Sequence, residues 1–343
     1  MKAFRFHGVG LPLQLDDVPV PQPGPGEVRV AVRACGVCGS DVHIVEGVTD
    51  TGPRPLILGH ETAGVVDEVG AGVTDVRPGQ RVCLSAGYGC GSCPSCAVGA
   101  ENICSRLAIP GITRDGAQAE YVVVPARTIV PLPDSIEFGV GAILTDAVST
   151  PFHAIRRSGV AAGQTAAVFG LGGLGLPAVA ILTQVVGAQV VAVDTRPRAL
   201  ERARAFGATA VVDASDGHPA RAVRALTAGA DATFEFVGSA AAVDQAVKSL
   251  RPGGTCTVVG VCRDRLHLDV RQETLVAGEL RIQGSFGCTA DDLRDLVDLV
   301  GSGRLDVAAV ISHRLPLEQF AEAVSLLQDK RTDPVRIVVE QTG

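Results

Sequence analysis

The stretch AAVFGLGGLG, residues 166–175, places a glycine-rich turn directly after a run of small and branched apolar residues. Gly170, Gly172 and Gly175 have the G-x-G-x-x-G spacing, with Gly173 in the same loop. The first glycine permits a tight turn, the second lets the backbone approach a pyrophosphate, and the third allows close packing of a helix on a strand. The helix N-terminus then offers N–H groups to the anion. The stretch therefore predicts the strand, turn and helix that open a dinucleotide-binding domain.

An acidic residue follows at the end of the next predicted strand. The segment QVVAVD ends in Asp194, 24 residues after Gly170, and a carboxylate there can accept hydrogen bonds from the ribose 2′-OH. An ordinary strand-end or helix-cap carboxylate is the alternative reading of this residue. Because a carboxylate would repel a 2′-phosphate, the pattern favours NAD over NADP. Arg196 and Arg198 follow closely, and their guanidiniums could hold a phosphate, so NADP remains the less favoured alternative.

The chain around this stretch alternates apolar strands with helical segments from about Ser149 onward. The alternation predicts right-handed βαβ units and a doubly wound parallel sheet. A helix is predicted at 173–186, with Gly187 as its C-terminal stop. The predicted strands are 165–169, 189–193, 210–212, 232–236 and 255–261.

The residues before about 145 have a different pattern, in which short β-branched runs alternate with Gly and Pro. This pattern predicts a turn-rich, barrel-like β-domain. The predicted strands are 27–33, 64–69, 80–84, 119–125 and 128–131. At the end of the chain, helices are predicted at 291–301 and 317–328 and strands at 313–315 and 335–340. The pattern alone leaves open which domain this tail completes.

Composition narrows the function classes. The chain has 343 residues, 46% of them hydrophobic, which is enough for two domains with sizeable cores. A net charge of −7, 3% aromatic residues and the absence of Trp argue against nucleic-acid binding. The first residues, MKAFRFHGVG, lack the apolar segment of a signal peptide. The apolar run 166–193 is interrupted by Gly, Pro and Gln, so no membrane span is predicted and the expected location is cytoplasmic.

Four of the ten cysteines lie on one short loop, GCGSCPSCAVGAENIC. The spacing of Cys90, Cys93, Cys96 and Cys104 puts four soft ligands together, and a closed tetrathiolate site is typical of structural zinc. Two disulfides, an iron–sulfur cluster and unused thiols are the alternatives. Of the other six cysteines, Cys38 is considered below, and the remaining five (Cys35, Cys83, Cys256, Cys262 and Cys288) carry no evident chemistry and are expected to be small buried residues.

Three further stretches carry possible ligands: Cys38 in CGSDVH, His60 in GHETAG and Asp146 in LTDA. Taken singly, each has a structural reading, as a buried thiol, a core histidine and a helix N-cap. Jointly they offer sulfur, nitrogen and oxygen donors and leave a fourth position open. Three protein ligands with one open position are typical of catalytic zinc.

These motifs together resemble the zinc-containing medium-chain dehydrogenase/reductase family, and the resemblance covers essentially the whole chain. The four-cysteine loop that carries Cys90, Cys93, Cys96 and Cys104, called the four-cysteine lobe below, has the family's spacing, and so does the glycine loop. The positions that match the family's zinc signature are Gly59, His60, Glu61, Gly64, Gly70 and Val73. The resemblance implies an α/β protein in which a GroES-like β-barrel catalytic domain is interrupted by a Rossmann domain. The implied segments are 1–148 with the zinc lobe at 89–105, 149–285 for NAD, and 286–343 returning to the catalytic domain.

The resemblance also assigns roles around a catalytic zinc. It implies that Cys38 and His60 bind the ion, that Glu61 lies beside it, and that Asp41 orients His60. Where well-known alcohol dehydrogenases carry a second catalytic cysteine, this chain has Asp146. Some family members use Asp at this position, so the ligand role is carried to Asp146.

The implied activity is hydride transfer between a primary or secondary alcohol, or its carbonyl, and NAD(H). Zinc is the expected Lewis acid. By resemblance, Ser40 accepts the alcohol proton and His43 passes it to water, while Thr150 and Leu174 lie near the nicotinamide. Two zinc ions per chain, one catalytic and one structural, follow from the two ligand sets.

Other activities remain open from the residues. A polyol, sugar or cyclic acyl-CoA dehydrogenase or reductase of the same family is one alternative. The resemblance implies a roomier substrate pocket, because members of the family often carry a bulky residue four positions before the first lobe cysteine, where this chain has Ala86. A zinc-stapled binding module without catalysis is the alternative from another class. The expected partner is a small alcohol or carbonyl substrate, and by analogy the chain is expected to be a homo-oligomer, a tetramer or else a dimer.

Overall fold

The computed structural model describes residues 1–52, 54–263, 265–329 and 333–341. Within these residues the chain forms sixteen strands and eleven α-helices. The strands are β1 (Lys2–Phe6), β2 (Gln14–Asp17), β3 (Glu27–Val37), β4 (Leu56–Ile57), β5 (Glu61–Val69), β6 (Arg81–Leu84), β7 (Tyr121–Pro125), β8 (Ile129–Pro131), β9 (Thr165–Phe169), β10 (Gln189–Asp194), β11 (Ala210–Asp213), β12 (Ala230–Glu235), β13 (Leu250–Val258), β14 (Arg281–Gly284), β15 (Ile311–Pro316) and β16 (Arg336–Glu340). The helices are α1 (Gly39–Val45), α2 (Pro94–Ala97), α3 (Phe138–Ile143), α4 (Ser149–Ser158), α5 (Gly175–Ile181), α6 (Pro197–Ala205), α7 (Pro219–Thr227), α8 (Ala240–Lys248), α9 (Gln272–Ala277), α10 (Ala290–Gly301) and α11 (Phe320–Gln328).

The chain divides into two compact units. The first comprises residues 1–149, 287–303 and 307–343, and the second comprises 150–286 and 304–306. Within the described part of the chain, no helix combines the length and apolar character needed to cross a bilayer.

The second unit is built on a six-stranded parallel sheet in the order β11-β10-β9-β12-β13-β14. Relative to the first strand, β9, this is the order 3-2-1-4-5-6 of a Rossmann fold. The buried strands β9 and β10 are almost wholly apolar, as a sheet covered on both faces requires. The predicted doubly wound parallel sheet is confirmed.

Strand β9 has the predicted bounds, β10 and β11 each end one residue later than predicted, and β12 begins two residues and ends one residue earlier. Two other predicted elements of this unit also have different bounds. Strand β13 begins at Leu250 and ends at Val258, three residues before the predicted end. The chain turns there because the N–H groups of Val259 and Gly260 both bind the carbonyl of Glu235. Helix α5 begins at Gly175 and continues as a π-helical segment, Leu182–Val186. The predicted stop is confirmed, since Gly187 ends the segment in the left-handed region with φ 75°.

The first unit is a β-domain organised around the long strand β3. Its main sheet runs β15-β16-β3-β5-β6-β8, and β7 also pairs with β3. A smaller sheet has the order β2-β1-β4. Strand β3 extends to Val37, four residues past the predicted end, because its last residues pair with β5 and with β16 from the far end of the chain. This is the turn-rich β-domain that the sequence pattern predicted.

The last part of the chain packs within the first unit. Strand β16 lies antiparallel to β3, with Ile337 opposite Val37. The buried Phe320 of α11 packs against Phe4 at 5.4 Å between ring centroids. The tail therefore completes the core of the first sheet.

The five remaining cysteines do not share one environment. Cys35, Cys83 and Cys256 are buried, as expected, and Cys288 is partly buried. Cys262 is exposed, so the expectation of burial was wrong there. It follows β13 beyond the last hydrogen-bonded residue of the sheet, where the chain no longer packs on a core.

Candidate metal centres and cofactor loop

Three distant segments of the first unit bring the predicted catalytic ligands together. Cys38 follows β3 and caps α1, His60 immediately precedes β5, and Asp146 lies in the π-helical segment Leu144–Val148 between α3 and α4. Cys38 Sγ lies 3.5 Å from Asp146 Oδ2, and His60 Nε2 lies 3.5 Å from the same oxygen. With Glu61, the ligand atoms all lie within 4.8 Å of one another. A sulfur, a nitrogen and carboxylate oxygens at this spacing fit one zinc ion.

Local backbone geometry places two of these side chains. Gly59 has φ 95°, and a Cβ there would come within 2.7 Å of Cys35 Sγ, so glycine is required before His60. The π-helical turn that carries Asp146 interrupts an otherwise α-helical run, and such turns occur frequently at functional sites. Asp146 is therefore not the helix N-cap that is its structural alternative.

Glu61 is held by a residue that the sequence analysis missed. Arg336 Nη1 donates to Glu61 Oε1 at 2.6 Å, and the two side chains are 4% and 0% exposed. The same nitrogen donates to the carbonyl of Val37 at 3.3 Å. Burial raises the pKa of Glu61, although the Arg336 guanidinium lowers it. The only sequence signal was an arginine opening an apolar strand, RIVVE.

His60 and Asp41 are buried beside this cluster. Asp41 Oδ2 accepts from the Cys38 backbone N–H at 2.9 Å and closes a capping box on α1. Asp41 Oδ1, His60 Nδ1 and Glu61 Oε2 are buried without hydrogen-bond partners. Burial lowers the pKa of His60, but its contacts with Asp146 and Cys38 outweigh this and raise it. A buried carboxylate oxygen such as Glu61 Oε2, left without a hydrogen-bond partner beside a cluster of possible metal ligands, favours a bound cation as the missing partner. The role of Asp41 in orienting His60 remains a prediction.

Helix α1 carries the two residues of the predicted proton relay. Ser40 Oγ lies 3.8 Å from Cys38 Sγ and is partly buried. His43 lies one helical turn later and is exposed. Residues three apart on a helix lie on the same face, so α1 leads from the ligand cluster toward solvent.

The four-cysteine lobe is assembled within the first unit. Cys93 Sγ lies 3.5 Å from Cys96 Sγ and 3.7 Å from Cys104 Sγ, and all four sulfurs lie within 4.8 Å of one another. A tetrahedral zinc site with Zn–S bonds of about 2.3 Å has sulfur–sulfur edges of about 3.8 Å. All ten cysteines are among the described residues, and all are free thiols, so the disulfide alternative is not found. Hydrogen bonds from Ser92 lower the pKa of Cys90 to about 5, which suits a thiolate ligand.

The glycine loop of the second unit has the predicted geometry. Gly170 has φ 87°, which favours glycine at the turn. A Cβ at Gly175 would lie 1.8 Å from the carbonyl oxygen of Gly170, so only glycine allows this close packing. A Cβ at Gly172 would meet nothing within 4 Å. The second glycine thus faces open space, as a backbone that receives a ligand requires. Gly173 and Leu174 complete the loop before α5.

Asp194 lies at the end of β10, beside this loop. Its Oδ2 accepts from the Leu171 N–H at 2.8 Å, and Arg196 donates to both carboxylate oxygens, with Nε and Nη2 each at 3.1 Å. Burial raises the pKa of Asp194, but these hydrogen bonds outweigh it and lower the pKa. Of the other predicted cofactor residues, Arg198 is exposed in α6 and Thr150 is buried in α4.

Two family profiles match the chain over most of its length. The alcohol dehydrogenase GroES-like domain matches residues 24–134, and the zinc-binding dehydrogenase domain matches residues 173–302. An alcohol dehydrogenase of Geobacillus stearothermophilus is 35% identical over 322 residues, covering 93% of this chain and 94% of that protein. The chain belongs to the zinc-containing medium-chain dehydrogenase/reductase family.

Other members of the family are similarly close. L-threonine 3-dehydrogenase of Bacillus subtilis strain 168 is 32% identical over 344 residues, covering 98% of each chain. The crystal structure of an NAD-dependent alcohol dehydrogenase superposes with a TM-score of 0.91 at 31% identity, covering 100% of both chains. This medium-chain dehydrogenase is therefore a zinc-type, NAD-dependent oxidoreductase that acts on alcohols, and the binding-module alternative falls away.

Proposed function

We propose that this dehydrogenase interconverts a primary or secondary alcohol and its carbonyl with NAD(H) at a zinc ion held by Cys38, His60 and Asp146. The observation that carries the proposal is the convergence of these three donors from separate segments of the first unit within 4.8 Å. Cys sulfur, His nitrogen and carboxylate oxygen are the ligands that zinc takes in proteins, and three of them leave the open position of a catalytic site.

Zinc bound there would supply a Lewis acid that polarises the substrate oxygen. Cys38 and Asp146 contribute two formal negative charges, and neutral His60 contributes a nitrogen donor. The set keeps the formal charge of two thiolates and a histidine while one soft donor is replaced by a hard one.

Glu61 lies beside Cys38, His60 and Asp146, and the Arg336 guanidinium supplies the positive charge that pairs with its carboxylate. The buried ion pair at 2.6 Å engages Oε1 of Glu61, whereas Oε2 is buried without a protein hydrogen-bond partner. We assign Glu61 a supporting role beside the ion, with Oε2 as the atom that faces it.

Ser40 and His43 are proposed to move the alcohol proton to solvent. The 3.8 Å distance from Ser40 Oγ to Cys38 Sγ supports a hydroxyl positioned beside the ligand cluster. His43 is exposed and one helical turn away, where an imidazole can release a proton to water.

The second unit is proposed to bind NAD(H) at its glycine loop. Gly170, Gly172, Gly173 and Gly175 form the pyrophosphate turn, Leu174 and Thr150 contact the nicotinamide half, and Asp194 accepts hydrogen bonds from the adenosine ribose. Arg196 and Arg198 are the nearby cations that NADP would need.

The four-cysteine lobe is proposed to hold the second zinc ion, with a purely structural role. Cys90, Cys93, Cys96 and Cys104 supply four sulfurs and leave no open position. The domain segments 1–148, 149–285 and 286–343 remain the proposed catalytic, nucleotide-binding and returning parts of the chain.

We further propose a cytoplasmic homo-oligomer, either a tetramer or a dimer. Support comes from the second unit, where β14 is an edge strand of the sheet. Exposed apolar side chains precede and follow this strand in the sequence. Val276 is 66% and Phe286 is 50% exposed. Molar mass from light scattering would distinguish monomer, dimer and tetramer.

The substrate within the alcohol class is proposed to be cyclic or branched, because the small Ala86 stands four positions before Cys90, where members of the family often carry a bulky pocket residue. Polyols, sugars and cyclic acyl-CoA esters are the alternatives. The test is a panel of linear, branched, cyclic and polyhydroxy alcohols, with NADH formation followed by absorbance. The fastest turnover with ethanol would contradict the roomy pocket, and no turnover with any alcohol would contradict the proposed activity.

A further inference from the structure

The proposed zinc centre of the four-cysteine lobe would carry a net negative charge, because four thiolates outweigh one divalent ion. Four thiolates around a divalent ion carry a formal charge of roughly −2. Such a centre needs N–H donors to its sulfurs and a nearby positive charge, because uncompensated charge is costly in a partly dry loop.

Backbone N–H groups donate hydrogen bonds to one sulfur of the lobe, Cys104 Sγ. The N–H groups of Cys90 and Arg106 both donate to Cys104 Sγ, each at 3.3 Å. Cys104 is buried, so these two donors replace the water that the sulfur cannot reach. They add no net charge to the loop.

The Arg106 side chain lies near Cys90, which is less buried than Cys104. Its Nη2 donates to Ser92 Oγ at 3.0 Å, and the same hydroxyl lies 3.6 Å from Cys90 Sγ. One residue is therefore linked to two ligands of the lobe, to Cys104 through its backbone N–H and to Cys90 through the Ser92 hydroxyl that its guanidinium holds.

A second arginine lies farther from the sulfurs. Arg127 Nη2 donates to the carbonyl of Gly89 at 2.9 Å, and its guanidinium carbon lies 5.6 Å from the Tyr88 ring centroid. This contact holds the backbone that leads into Cys90. Among the described hydrogen bonds of the lobe, Arg127 donates to this carbonyl and to none of the four sulfurs.

We propose that Arg106 is a positioning residue that retains the lobe metal by balancing the charge of the Cys90 side of the tetrathiolate centre. This inference rests on the proposed structural zinc. Removal of residues that support metal ligands typically lowers metal affinity 10- to 100-fold. Because Arg106 is exposed and its charge is screened by salt, the lower end of that range is expected.

The test is the rate at which zinc passes from the full-length protein to an excess of a chromogenic chelator. Arg106→Gln, Arg106→Lys and the control Arg294→Gln are compared, each also in the Asp146→Ala background, where only lobe zinc is expected. Arg294 is a matched exposed arginine of the same unit, paired with Asp291. Far-UV circular dichroism checks that each variant is folded.

Arg106→Gln is expected to release lobe zinc about tenfold faster at low salt, with the difference shrinking as salt rises. Arg106→Lys should stay close to the parent rate, and so should Arg294→Gln. Equal rates for Arg106→Gln and the parent would overturn the inference. So would equally fast release from the Lys variant, or a difference that salt does not change. Absence of zinc from the Asp146→Ala protein would instead overturn the structural zinc itself.

Discussion

Arg336 Nη1 and Glu61 Oε1 form an ion pair of 2.6 Å that links the last strand of the chain to the first residue of β5. The pair is almost completely buried and lies beside the ligand cluster, so it couples the return of the chain to the geometry of the proposed catalytic site.

We expect Arg336→Met to lower the free energy of unfolding by about 3–5 kcal/mol, because it leaves Glu61 buried without its counter-charge. The double variant Arg336→Met/Glu61→Leu should show a smaller decrease in the free energy of unfolding than the single variant, because no buried charge is left unpaired. Urea unfolding in zinc-containing buffer measures both. Lys2→Met is the control, because Lys2 and Glu318 form an exposed pair with 51% and 54% of their side chains accessible, and its loss should cost no more than about 1 kcal/mol. A loss that small for Arg336→Met would contradict the role of the buried pair.

Two glycines of the cofactor loop should respond differently to an added methyl group. Gly175→Ala places a Cβ 1.8 Å from the Gly170 carbonyl oxygen, so thermal stability should fall, by about 1–3 kcal/mol or more. Gly172→Ala meets no atom within 4 Å, so stability should be retained while NADH affinity falls roughly tenfold, because a methyl group would occupy space meant for the pyrophosphate. NADH fluorescence titration and thermal unfolding separate the two effects. Unchanged NADH binding by a folded Gly172→Ala protein would argue against a pyrophosphate at this turn.

Asp194 should contribute to stability in a pH-dependent way. Its pKa in the folded protein is lowered, despite burial, by hydrogen bonds from Arg196 and Leu171. A lowered folded pKa means that the contribution is complete above the unfolded value of about 4 and is lost as the pH falls through the folded value. Asp194→Asn should therefore cost roughly 1–2 kcal/mol at neutral pH, and the difference from the parent should close in acid. Exposed Asp50 supplies the control, Asp50→Asn. A difference that is independent of pH would refute the electrostatic explanation.

His43→Ala tests the proton relay. His43 is exposed, so the variant should fold, and alcohol oxidation near neutral pH should slow by up to about 100-fold as the general base is lost. Added imidazole should restore part of the rate, and the pH–rate profile should change shape. His218, exposed before α7, gives the control variant His218→Ala. Normal oxidation rates in His43→Ala would remove this residue from the mechanism.

Much of the second unit was predictable because its signals are local. Strand β9 has the predicted bounds, and Gly187 ends the first helical segment as expected. Gly170, Gly172 and Gly175 lie in one turn, so their spacing alone indicates their geometry. The lobe is local for the same reason, with its four cysteines inside fifteen residues.

The features that escaped prediction depend on residues far apart in the chain. Arg336 and Glu61 are separated by 275 residues, and no local pattern pairs them. Strand β3 runs past Arg33 because β16 pairs with its end. Helix α1 has only seven residues, too few for a periodic signal, and depends on the capping contact between Cys38 and Asp41.

A zinc ion at Cys38, His60 and Asp146 can be detected through the zinc content of the purified parent and of the Asp146→Ala variant, with Asp50→Ala as control. We expect about two zinc ions per chain in the parent and the control. About one is expected in Asp146→Ala, together with loss of alcohol-dependent NADH formation. Two zinc ions per chain in a folded Asp146→Ala protein would contradict the proposed ligand set.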